Sequence, residues 1–429
     1  MKKEIFVKLI KDFWERFSPE YIPRNKKFNF LNVRKVYTIV WPRRAGKTFY
    51  CYQIIDQLLK SWVKKQNILY LYLERSELYP LQLQDLDILL ETFLELVNYD
   101  VGQQYFLFLD EVQVIEWWQK FATKIYNDYP NINLIVAWST SDLFSSQIAS
   151  WLRWKATNFE ILPLDFEEVL KFKWEKYEKY LSSIKLIRYK QILDEILIWG
   201  VFPEIVKLDS IDDKIKILED YLEITLFKDV IERFNLKSIK KIRYFLKLIL
   251  SYMWNFINLK KISQIVNADY NSVLNWMDYF FQAYLWFEVK NFDFSIWKQE
   301  RSQSKIYILD NGYYSINFYH YKQDFGKLFE NWVFMEFKKM WYQENKSLFY
   351  FKDKKFDIDF VLIDWKRVKF IQIVYELNED NYQREIGQLI KAKEKYWVDV
   401  YLIYKDNFVK KEIKEIQMIP FYRLKDIMR

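Results

Sequence analysis

Short, continuous apolar runs alternate with helical patterns in the first 165 residues. Four runs have the length of a strand: "VRKVYTIV" (33–40), "NILYLYLE" (67–74), "QYFLFLDEV" (104–112) and "NINLIVAW" (131–138). Strands that are apolar throughout are typical of a parallel sheet that helices cover on both faces. The pattern therefore predicts an α/β domain with a parallel sheet, preceded by an N-terminal helical stretch.

Two further patterns follow along the chain. Helical periodicity dominates residues 166–300, and within it residues 259–292 predict a helix, a turn, a second helix and then strands, the outline of a winged helix. A helix at 323–340 then precedes the apolar runs "SLFYF", "FDIDFVLI", "VKFIQIVYEL" and "VDVYLIYK". No linker rich in Pro, Ser or Gly separates these parts. We place three domains at 1–165, 166–300 and 301–429.

The first domain contains a candidate phosphate-binding loop, "WPRRAGKT", between a predicted strand and a predicted helix. It follows the pattern G-x-x-x-x-G-K-[ST] at every fixed position except the first. In such a loop, backbone N–H groups hold the phosphates, the lysine neutralises phosphate oxygens and the hydroxyl coordinates Mg²⁺. The candidate ATP ligands are Trp41, Pro42, Arg43, Arg44, Ala45, Gly46, Lys47 and Thr48, with the Thr48 hydroxyl also a Mg²⁺ ligand.

Polar residues end two of the later strands. Asp110 and Glu111 follow "FLFL", and Ser139, Thr140 and Ser141 follow "LIVAW". The carboxyl ends of parallel strands form the edge where open α/β sheets bind ligands. We expect Asp110 to hold Mg²⁺, Glu111 to polarise the attacking water, and a hydroxyl such as that of Ser139 to contact the γ-phosphate or the water. The alternative for the two acids is a solvated strand end.

Together these motifs resemble the AAA-superfamily ATPases of bacteria and archaea that carry a C-terminal domain of unknown function. The resemblance covers most of the chain, through "WPRRAGKT", "LFLDEVQ", "AWSTSDLFSSQIASWLRWKATNFEILPLDFEEVL", "IWGVFPE", "FDIDFVLI" and "IQIVYEL". It implies ATP and Mg²⁺ as cofactors. It also implies an arginine that senses the γ-phosphate charge, but Lys155 stands at the matching position and lacks the bidentate fork, which leaves Arg153 as an alternative. Arg233 matches a further family arginine, and its other interpretation is an exposed helix charge.

Two residue types have abnormal counts. The chain has 6 Gly and 18 Trp, whereas about 7% glycine would give roughly 30 in a chain of this length. Trp276 and one of Trp117 and Trp118 look like ordinary aromatic residues. Other tryptophans stand at turns or helix ends that favour glycine: Trp62, Trp138, Trp199, Trp341, Trp365 and Trp397. The family resemblance implies glycine at Trp41, Trp138, Trp154, Trp199 and Trp286.

Two interpretations explain these counts. One is an AT-rich, aromatic-heavy composition with the tryptophans packed in cores. The other is that UGA codons have been translated as tryptophan although the source organism reads them as glycine, as some uncultivated bacterial lineages do. We favour the second, because turns that require glycine do not tolerate an indole side chain.

The last domain resembles the PD-(D/E)xK nuclease fold. A site of that fold needs an acid on one strand, and a second acid two residues before a lysine on the next strand. Asp357 and Asp359 share one strand face, but Gln372 and Val374 occupy the positions of the second acid and the lysine. Lys369 faces the other side. We expect a nuclease-like fold with a degraded site that comprises Glu330, Asp359 and Gln372.

Charge and composition limit the partners. The net charge of +8 permits DNA binding without requiring it, and Lys260, Lys261 and Lys290 are candidate phosphate contacts of the winged helix. No run approaches about 18 apolar residues, so we expect no membrane span, and we expect a cytoplasmic protein. Because Cys51 and His320 are single, an intrachain disulfide, a cysteine-rich zinc site and histidine-based catalysis are poor hypotheses.

These observations favour an ATPase that hydrolyses ATP with Mg²⁺ and couples hydrolysis to a conformational or binding switch. The first alternative is a DNA-binding ATPase whose last domain cuts DNA. The second is a non-hydrolysing interaction scaffold with a protein partner. An arginine that acts in trans would imply a homo-oligomer.

Overall fold

The computed structural model describes residues 2–138, 155–293, 295–318, 324–365, 367–409 and 415–428. The chain divides into two compact units, Met1–Pro163 and Leu164–Arg429. The first unit therefore ends two residues before the predicted boundary at 165. Residues on both sides of the predicted boundary at 300 belong to the second unit.

The first unit is a five-stranded, all-parallel sheet with the strand order β2-β3-β4-β1-β5. Its elements are α1 (Lys2–Arg16), β1 (Val36–Val40), α2 (Lys47–Lys60), β2 (Ile68–Tyr72), α3 (Leu83–Leu96), β3 (Tyr105–Asp110), α4 (Trp118–Asp128), β4 (Ile132–Trp138) and β5 (Ala156–Glu160). The predicted parallel α/β sheet and its four strands are confirmed. The apolar pattern does not predict β5, because Thr157, Asn158 and Glu160 interrupt it.

Alternate residues of each strand pack into two separate cores. In β3, Tyr105, Leu107 and Leu109 pack in the core that contains α3 and α4, whereas Phe106 and Phe108 pack in the core that contains α2. This alternation follows from the two-residue period of a strand. Because both faces of the sheet are covered, its strands are apolar throughout and only their ends carry polar groups.

The second unit begins with helices and a β-hairpin. Its first elements are α5 (Phe166–Phe172), α6 (Ser183–Trp199), α7 (Pro203–Lys207), α8 (Ile211–Ile224), a π-helix (Thr225–Glu232), α9 (Ile239–Ser251), α10 (Leu259–Ile265), α11 (Tyr270–Gln282), β6 (Trp286–Lys290), α12 (Ile296–Glu300) and β7 (Ser304–Ile308). Strands β6 and β7 pair antiparallel, with Trp286 opposite Ile308. The hairpin therefore spans the predicted boundary at 300.

A mixed five-stranded sheet completes the second unit. Its elements are α13 (Asn311–Phe318), α14 (Phe325–Lys339), β8 (Leu348–Lys352), β9 (Asp357–Asp364), β10 (Arg367–Leu377), α15 (Glu379–Tyr396), β11 (Asp399–Asn407), β12 (Gln417–Pro420) and a final 3₁₀ segment (Phe421–Met428). The strand order is β12-β11-β10-β9-β8. Strands β8, β9 and β10 pair antiparallel, whereas β10, β11 and β12 pair parallel. The helix and four strands predicted for this region are confirmed.

Tryptophans are prominent among the residues with left-handed backbone. Fourteen non-glycine residues in the described ranges have a positive φ, and seven of them are tryptophan: Trp62, Trp117, Trp174, Trp254, Trp341, Trp365 and Trp397. Trp397 caps α15 at φ 55°, and Trp365 lies in the turn between β9 and β10 at φ 52°. L-residues with bulky side chains avoid this conformation.

A second group of tryptophans is buried with ordinary backbone. Trp41, Trp138 and Trp286 are among the largest buried side chains, and Trp199 is also buried. Trp286 stacks on Phe280, with ring centroids 4.5 Å apart. For this group, the backbone conformation gives no sign of a position that requires glycine.

Candidate nucleotide site

The candidate phosphate loop lies at the carboxyl edge of the first unit's sheet. It connects the end of β1 at Val40 to the start of α2 at Lys47, and Asp110 ends β3 at the same edge. Strand β4 lies between β1 and β3. Residues of the loop and of β3 therefore face each other across the end of β4.

The loop leads into an open helix N-terminus. Gly46 precedes α2 with φ 94°, and Arg44 is also left-handed with φ 66°. The first turn of α2 has no acidic residue. Its cap residue, Gly46, has no side chain that could accept a hydrogen bond from the helix. The first N–H groups of a helix carry partial positive charge and favour anions. This end of α2 therefore suits a phosphate group.

Lys47 is buried between two carboxylates. Its Nζ lies 2.9 Å from Asp110 Oδ1 and also forms an ion pair with Glu111. Burial lowers the pKa of Lys47, and the nearby charge of Asp110 offsets only part of this effect. Two carboxylates thus face one buried ammonium group, which lies at the start of α2.

Asp110 is the centre of a hydrogen-bond network. Its Oδ2 accepts hydrogen bonds from the Thr48 hydroxyl at 3.2 Å and the Tyr70 hydroxyl at 2.9 Å. The predicted pair of Thr48 and Asp110 is thus brought together, with oxygen atoms of the kind that Mg²⁺ prefers. Tyr70 is not predicted from the sequence, because it lies inside an apolar strand run where a tyrosine looks like a core residue.

Glu111 is held at the end of β3 in a left-handed conformation, with φ 58°. Its Oε2 accepts a hydrogen bond from Gln113 Nε2 at 2.5 Å, while Oε1 faces Lys47. Gln113 is also not among the predicted site residues. Its position in "DEVQ", two residues after Glu111, is the feature of the sequence that could have indicated it.

The indole of Trp41 occupies the space beside Lys47. The ring centroid lies 4.7 Å from Lys47 Nζ, and Trp41 is 1% exposed. A cation over an aromatic face is attracted to it, more strongly in a desolvated site. Trp41 therefore contributes a contact that competes with other partners of Lys47.

The site residues fit ATP and Mg²⁺ by their donor set. The uncapped N-terminus of α2 and Lys47 supply donors and positive charge for phosphates, while Thr48 and Asp110 supply hard oxygen ligands for a divalent cation. Within the described ranges, no group of three or more His, Cys, Asp or Glu side chains is arranged to hold a metal ion by itself. A metal at this site would therefore share its coordination with the nucleotide and water.

The structure does not bring every predicted site residue to the loop. Ser139 and Arg153 lie outside the described residues. Lys155 precedes β5 at the amino edge of the sheet, about 17 Å from the loop edge at about 3.3 Å per strand residue, and its Nζ donates to Asn127 Oδ1. Arg233 belongs to the second unit, where its Nη2 donates to Gln282 Oε1 at 3.2 Å.

The second unit brings together the three residues of the predicted degraded nuclease site. Gln372 of β10 continues the register that pairs Ile371 with Phe360, so it lies opposite Asp359 of β9. The negative charge of Glu330, on α14, acts on Asp359. Burial, followed by the charge of Glu330, raises the pKa of Asp359 well above its usual range.

Three further residues, which the sequence does not predict, surround this site. Lys305 of β7 is buried, with Nζ 3.4 Å from Glu330 Oε1, and the Tyr307 hydroxyl donates to the same oxygen at 2.6 Å. Glu385 of α15 accepts a hydrogen bond from Gln372 Nε2 at 2.9 Å. Lys305 lies far from Asp359 in sequence, so strand spacing within the last sheet gives no signal for it. We call Lys305, Glu330, Asp359, Gln372 and Glu385 the acid cluster.

Two family models match parts of this chain. A model described as "AAA domain" matches residues 33–170, and a model described as "Domain of unknown function (DUF8612)" matches residues 190–316. The chain is 33% identical to "Uncharacterized protein MJ1544" of Methanocaldococcus jannaschii over 405 residues, which cover 91% of this chain and 88% of that protein. The chain belongs to the MJ1544 family.

Residues 33–170 of this MJ1544-family chain are an AAA domain, and the chain is a P-loop ATPase that binds nucleotide. The predicted combination of an AAA domain and a domain of unknown function is confirmed. The latter matches the middle of the chain, whereas the sequence analysis placed it at the C-terminus. A protein of Haemophilus influenzae is a more distant relative, 24% identical over 82% of this chain and 85% of that protein.

Solved structures give only loose superpositions on this MJ1544-family chain. The Aeropyrum pernix ORC1 protein in complex with DNA is 8% identical, with a TM-score of 0.30, over 72% of this chain and 88% of that one. AMPPCP-bound DnaA from Aquifex aeolicus is 15% identical, with a TM-score of 0.25, over 65% and 87%. Neither superposition supports a conclusion about function.

No helix in the described parts of the chain has the length and apolar character that crossing a bilayer requires.

Proposed function

We propose that the chain hydrolyses ATP with Mg²⁺ at residues 41–48, Asp110 and Glu111, and couples hydrolysis to a conformational or binding switch. The observation that carries this proposal is the position of Lys47. Its ammonium group is buried at the N-terminus of α2, where the loop would bind phosphate, and it faces Asp110 and Glu111.

Each residue has a separate role in the proposed reaction. The loop N–H groups and Lys47 bind and orient the β- and γ-phosphates. Thr48 and Asp110 would hold Mg²⁺, which when bound neutralises charge that develops on the phosphates. Glu111 accepts a proton from the attacking water as general base, and Gln113 holds its carboxylate in place. Ser139 or Arg153 would stabilise the γ-phosphate.

A substitution of Lys47 tests the proposal. Lys47→Ala removes the ammonium group, so we expect Mg²⁺-dependent ATP hydrolysis to fall by at least about 100-fold, as for other groups that stabilise developing charge. Lys60→Ala, at the exposed other end of α2, is the matched control and leaves the rate unchanged. Unchanged hydrolysis by Lys47→Ala would contradict the proposal.

The second candidate function is DNA binding by the helices α10 and α11 with the β6–β7 hairpin. Lys260 and Lys261 are exposed on α10, and Asn271 and Asn275 are exposed on α11. These side chains suit phosphate and base-edge contacts, although Lys290 is paired with Glu300 at 2.5 Å. Binding to duplex DNA that weakens steeply with salt and is reduced by Lys260→Ala would support this function. Salt-insensitive or absent binding would exclude it.

Cleavage of DNA by the nuclease-like domain is disfavoured as a part of this function. In the acid cluster, Asp359 accepts a hydrogen bond from the Ile373 backbone N–H at 2.8 Å, and Gln372 is engaged with Glu385. Asp359 and the amide nitrogen of Gln372 are therefore already engaged within the chain. Mg²⁺-dependent cleavage that Asp359→Ala abolishes would overturn this preference.

We also propose that many tryptophans of this chain are glycine in the source organism, where UGA is read as glycine. The support is the set of seven left-handed tryptophans, since each costs about 1 to 2 kcal/mol in this conformation. Together they cost about 10 kcal/mol, which equals the whole stability of a typical protein. The coding DNA tests this proposal, because a UGA codon at Trp41 and Trp397 supports it and a UGG codon refutes it.

A further inference from the structure

A segment without helix or strand, residues 17–35, connects α1 to β1. Gln53 of α2 fixes it at Arg24 through two bonds. The side-chain carbonyl of Gln53 accepts from the Arg24 backbone N–H at 2.7 Å, and its amide donates to the Arg24 carbonyl at 3.0 Å. Because Gln53 is itself buried, these bonds hold the Arg24 backbone beside the N-terminal half of α2.

The guanidinium of Arg24 joins two segments that are distant in sequence. Its Nη1 donates to the carbonyl of Ala45, in the phosphate loop, at 2.9 Å. Its Nη2 donates to the carbonyls of Leu162 at 2.7 Å and Pro163 at 3.4 Å. The donors of a guanidinium lie in a rigid, planar fork. A shift of one segment therefore changes the bonds to the other.

The bond to Ala45 also orients the loop. The carbonyl of Ala45 and the N–H of Gly46 belong to one planar peptide group, in which a trans bond points them in opposite directions. By binding this carbonyl, Arg24 fixes the direction of the Gly46 N–H, which is one of the donors at the start of α2. Phosphate binding depends on that direction.

The second segment that Arg24 binds lies where the chain leaves the first unit. Residues 161–163 follow the carboxyl end of β5, and Pro163 is the last residue of the unit. The Ile161 N–H donates to the Val40 carbonyl at 2.8 Å, directly before the loop. We call residues 161–163 the exit segment. It is hydrogen-bonded to the strand that precedes the loop and, through Arg24, to the loop itself.

We propose that Arg24 is a positioning residue that holds the phosphate loop in its nucleotide-binding conformation and couples the loop to the exit segment 161–163. This inference rests on the proposed function, since it requires ATP at the loop. In this role Arg24 does not contact the phosphates of ATP or the attacking water. It acts through the Ala45–Gly46 peptide group, and ATP binding changes the protection of residues 161–163 through the same guanidinium.

The test compares Arg24→Ala, Arg24→Lys and Arg34→Ala in the full chain. Arg34 is the matched control, because it lies in the same connecting segment and its Nη2 also donates to two backbone carbonyls, those of Ile125 and Tyr129. We expect KM for ATP to rise about 10-fold in Arg24→Ala, the usual effect of lost hydrogen bonds from a charged donor, with little change in kcat. Arg24→Lys, which lacks the fork, gives an intermediate KM, and Arg34→Ala leaves KM unchanged.

Hydrogen exchange supplies a second readout. On addition of ATP and Mg²⁺, we expect altered exchange in the peptides that cover residues 156–166 of the unmodified chain, and loss of this response in Arg24→Ala at saturating ATP. An unchanged KM and an intact response in Arg24→Ala would overturn the inference, as would an equal rise of KM in Arg34→Ala. If the unmodified chain shows no Lys47-dependent hydrolysis, the proposed function itself fails and this inference fails with it.

Discussion

Lys47 and Lys305 are both buried lysines that face carboxylates, yet their surroundings shift their pKa values in opposite directions. Burial lowers the pKa of Lys47, and the charge of Asp110 offsets it only in part. Burial acts on Lys305 in the same sense, but the charges of Glu330, Asp359 and Asp357 outweigh it and raise the pKa. Desolvation therefore dominates at Lys47, whereas the surrounding negative charges dominate at Lys305.

The two lysines also differ in what lies beside them. Lys47 lies at the N-terminus of α2, whose first N–H groups favour phosphate. Lys305 is enclosed by Glu330 and by Tyr307, which donates to the same carboxylate. Two buried lysines that both face carboxylates can therefore have different roles, which their surroundings distinguish.

The largest expected effect is on Lys305. Lys305→Met leaves Glu330 and Asp359 without their cation, so we expect the free energy of unfolding to fall by about 3 to 5 kcal/mol, as when one partner of a buried ion pair is removed. Urea denaturation measures this loss. Lys298→Met, on the exposed helix α12, is the control and changes stability little. A Lys305→Met chain as stable as the original would contradict the view that the acid cluster is structural.

Glu336 is a third buried ionisable group, and its shifted pKa makes the stability of the chain depend on pH. Burial raises the pKa of Glu336 to about 7, and Lys339, 3.0 Å away, offsets this only in part. The folded chain then binds more protons than the unfolded chain between about pH 4.3 and the folded pKa. The free energy of unfolding therefore falls as pH rises through this window, by about 3 to 4 kcal/mol in total at 1.36 kcal/mol per pKa unit.

Glu336→Gln isolates this contribution. The variant keeps a carbonyl oxygen for the Phe166 N–H but no longer titrates, so its unfolding free energy should change less between pH 4.5 and 7 than that of the original chain. Denaturation curves at several pH values measure both slopes. Equal slopes for the two chains would show that Glu336 does not titrate in this window.

A smaller effect is expected at Trp41. The indole lies 4.7 Å from Lys47 Nζ and competes with phosphate for it. Removing a desolvated cation–π contact of about 1 to 2 kcal/mol should tighten ATP binding by about 10-fold in Trp41→Gly. Calorimetry gives the dissociation constants, with Trp297→Gly, on the exposed helix α12, as the control. Equal ATP affinity in Trp41→Gly would show that the loop tolerates the indole.

The smallest effect is expected at a left-handed tryptophan, and a buried helical tryptophan provides the contrast. Trp397 is 93% exposed and left-handed, so Trp397→Gly relieves strain and should raise the unfolding free energy by about 0.5 to 1 kcal/mol after the entropy cost of glycine. Trp276 is buried in α11, so Trp276→Gly should lower it by about 3 to 5 kcal/mol. Thermal unfolding measures both, and a loss of stability in Trp397→Gly would argue against glycine at that position.

The first unit follows closely from its sequence because its signals are local. Apolar runs predict β1 to β4, and the loop motif places Lys47 and Thr48 at the start of a helix. The left-handed turns at Trp62, Trp341, Trp365 and Trp397 also follow from local context, since helix ends and hairpins call for glycine there. Trp174 and Trp254 share this conformation without such a signal.

The remaining features depend on contacts between residues that are distant in sequence. Tyr70 reaches Asp110 from a neighbouring strand, and Lys305 reaches Glu330 from a hairpin outside the last sheet. Lys155 aligns with a family motif, but its place at the amino edge of the sheet depends on the direction of β5. Strand periodicity indicates which face a side chain occupies, and only the folded sheet shows which partners it meets.

The most direct measurement of the central claim is ATP binding and ATP hydrolysis by Glu111→Gln, side by side with the original chain. The substitution keeps the shape of the side chain but removes the proposed general base. We expect ATP affinity to be retained and Mg²⁺-dependent turnover to fall by at least about 100-fold, within the usual contribution of general-base catalysis. Turnover by Glu111→Gln at the rate of the original chain would contradict the account.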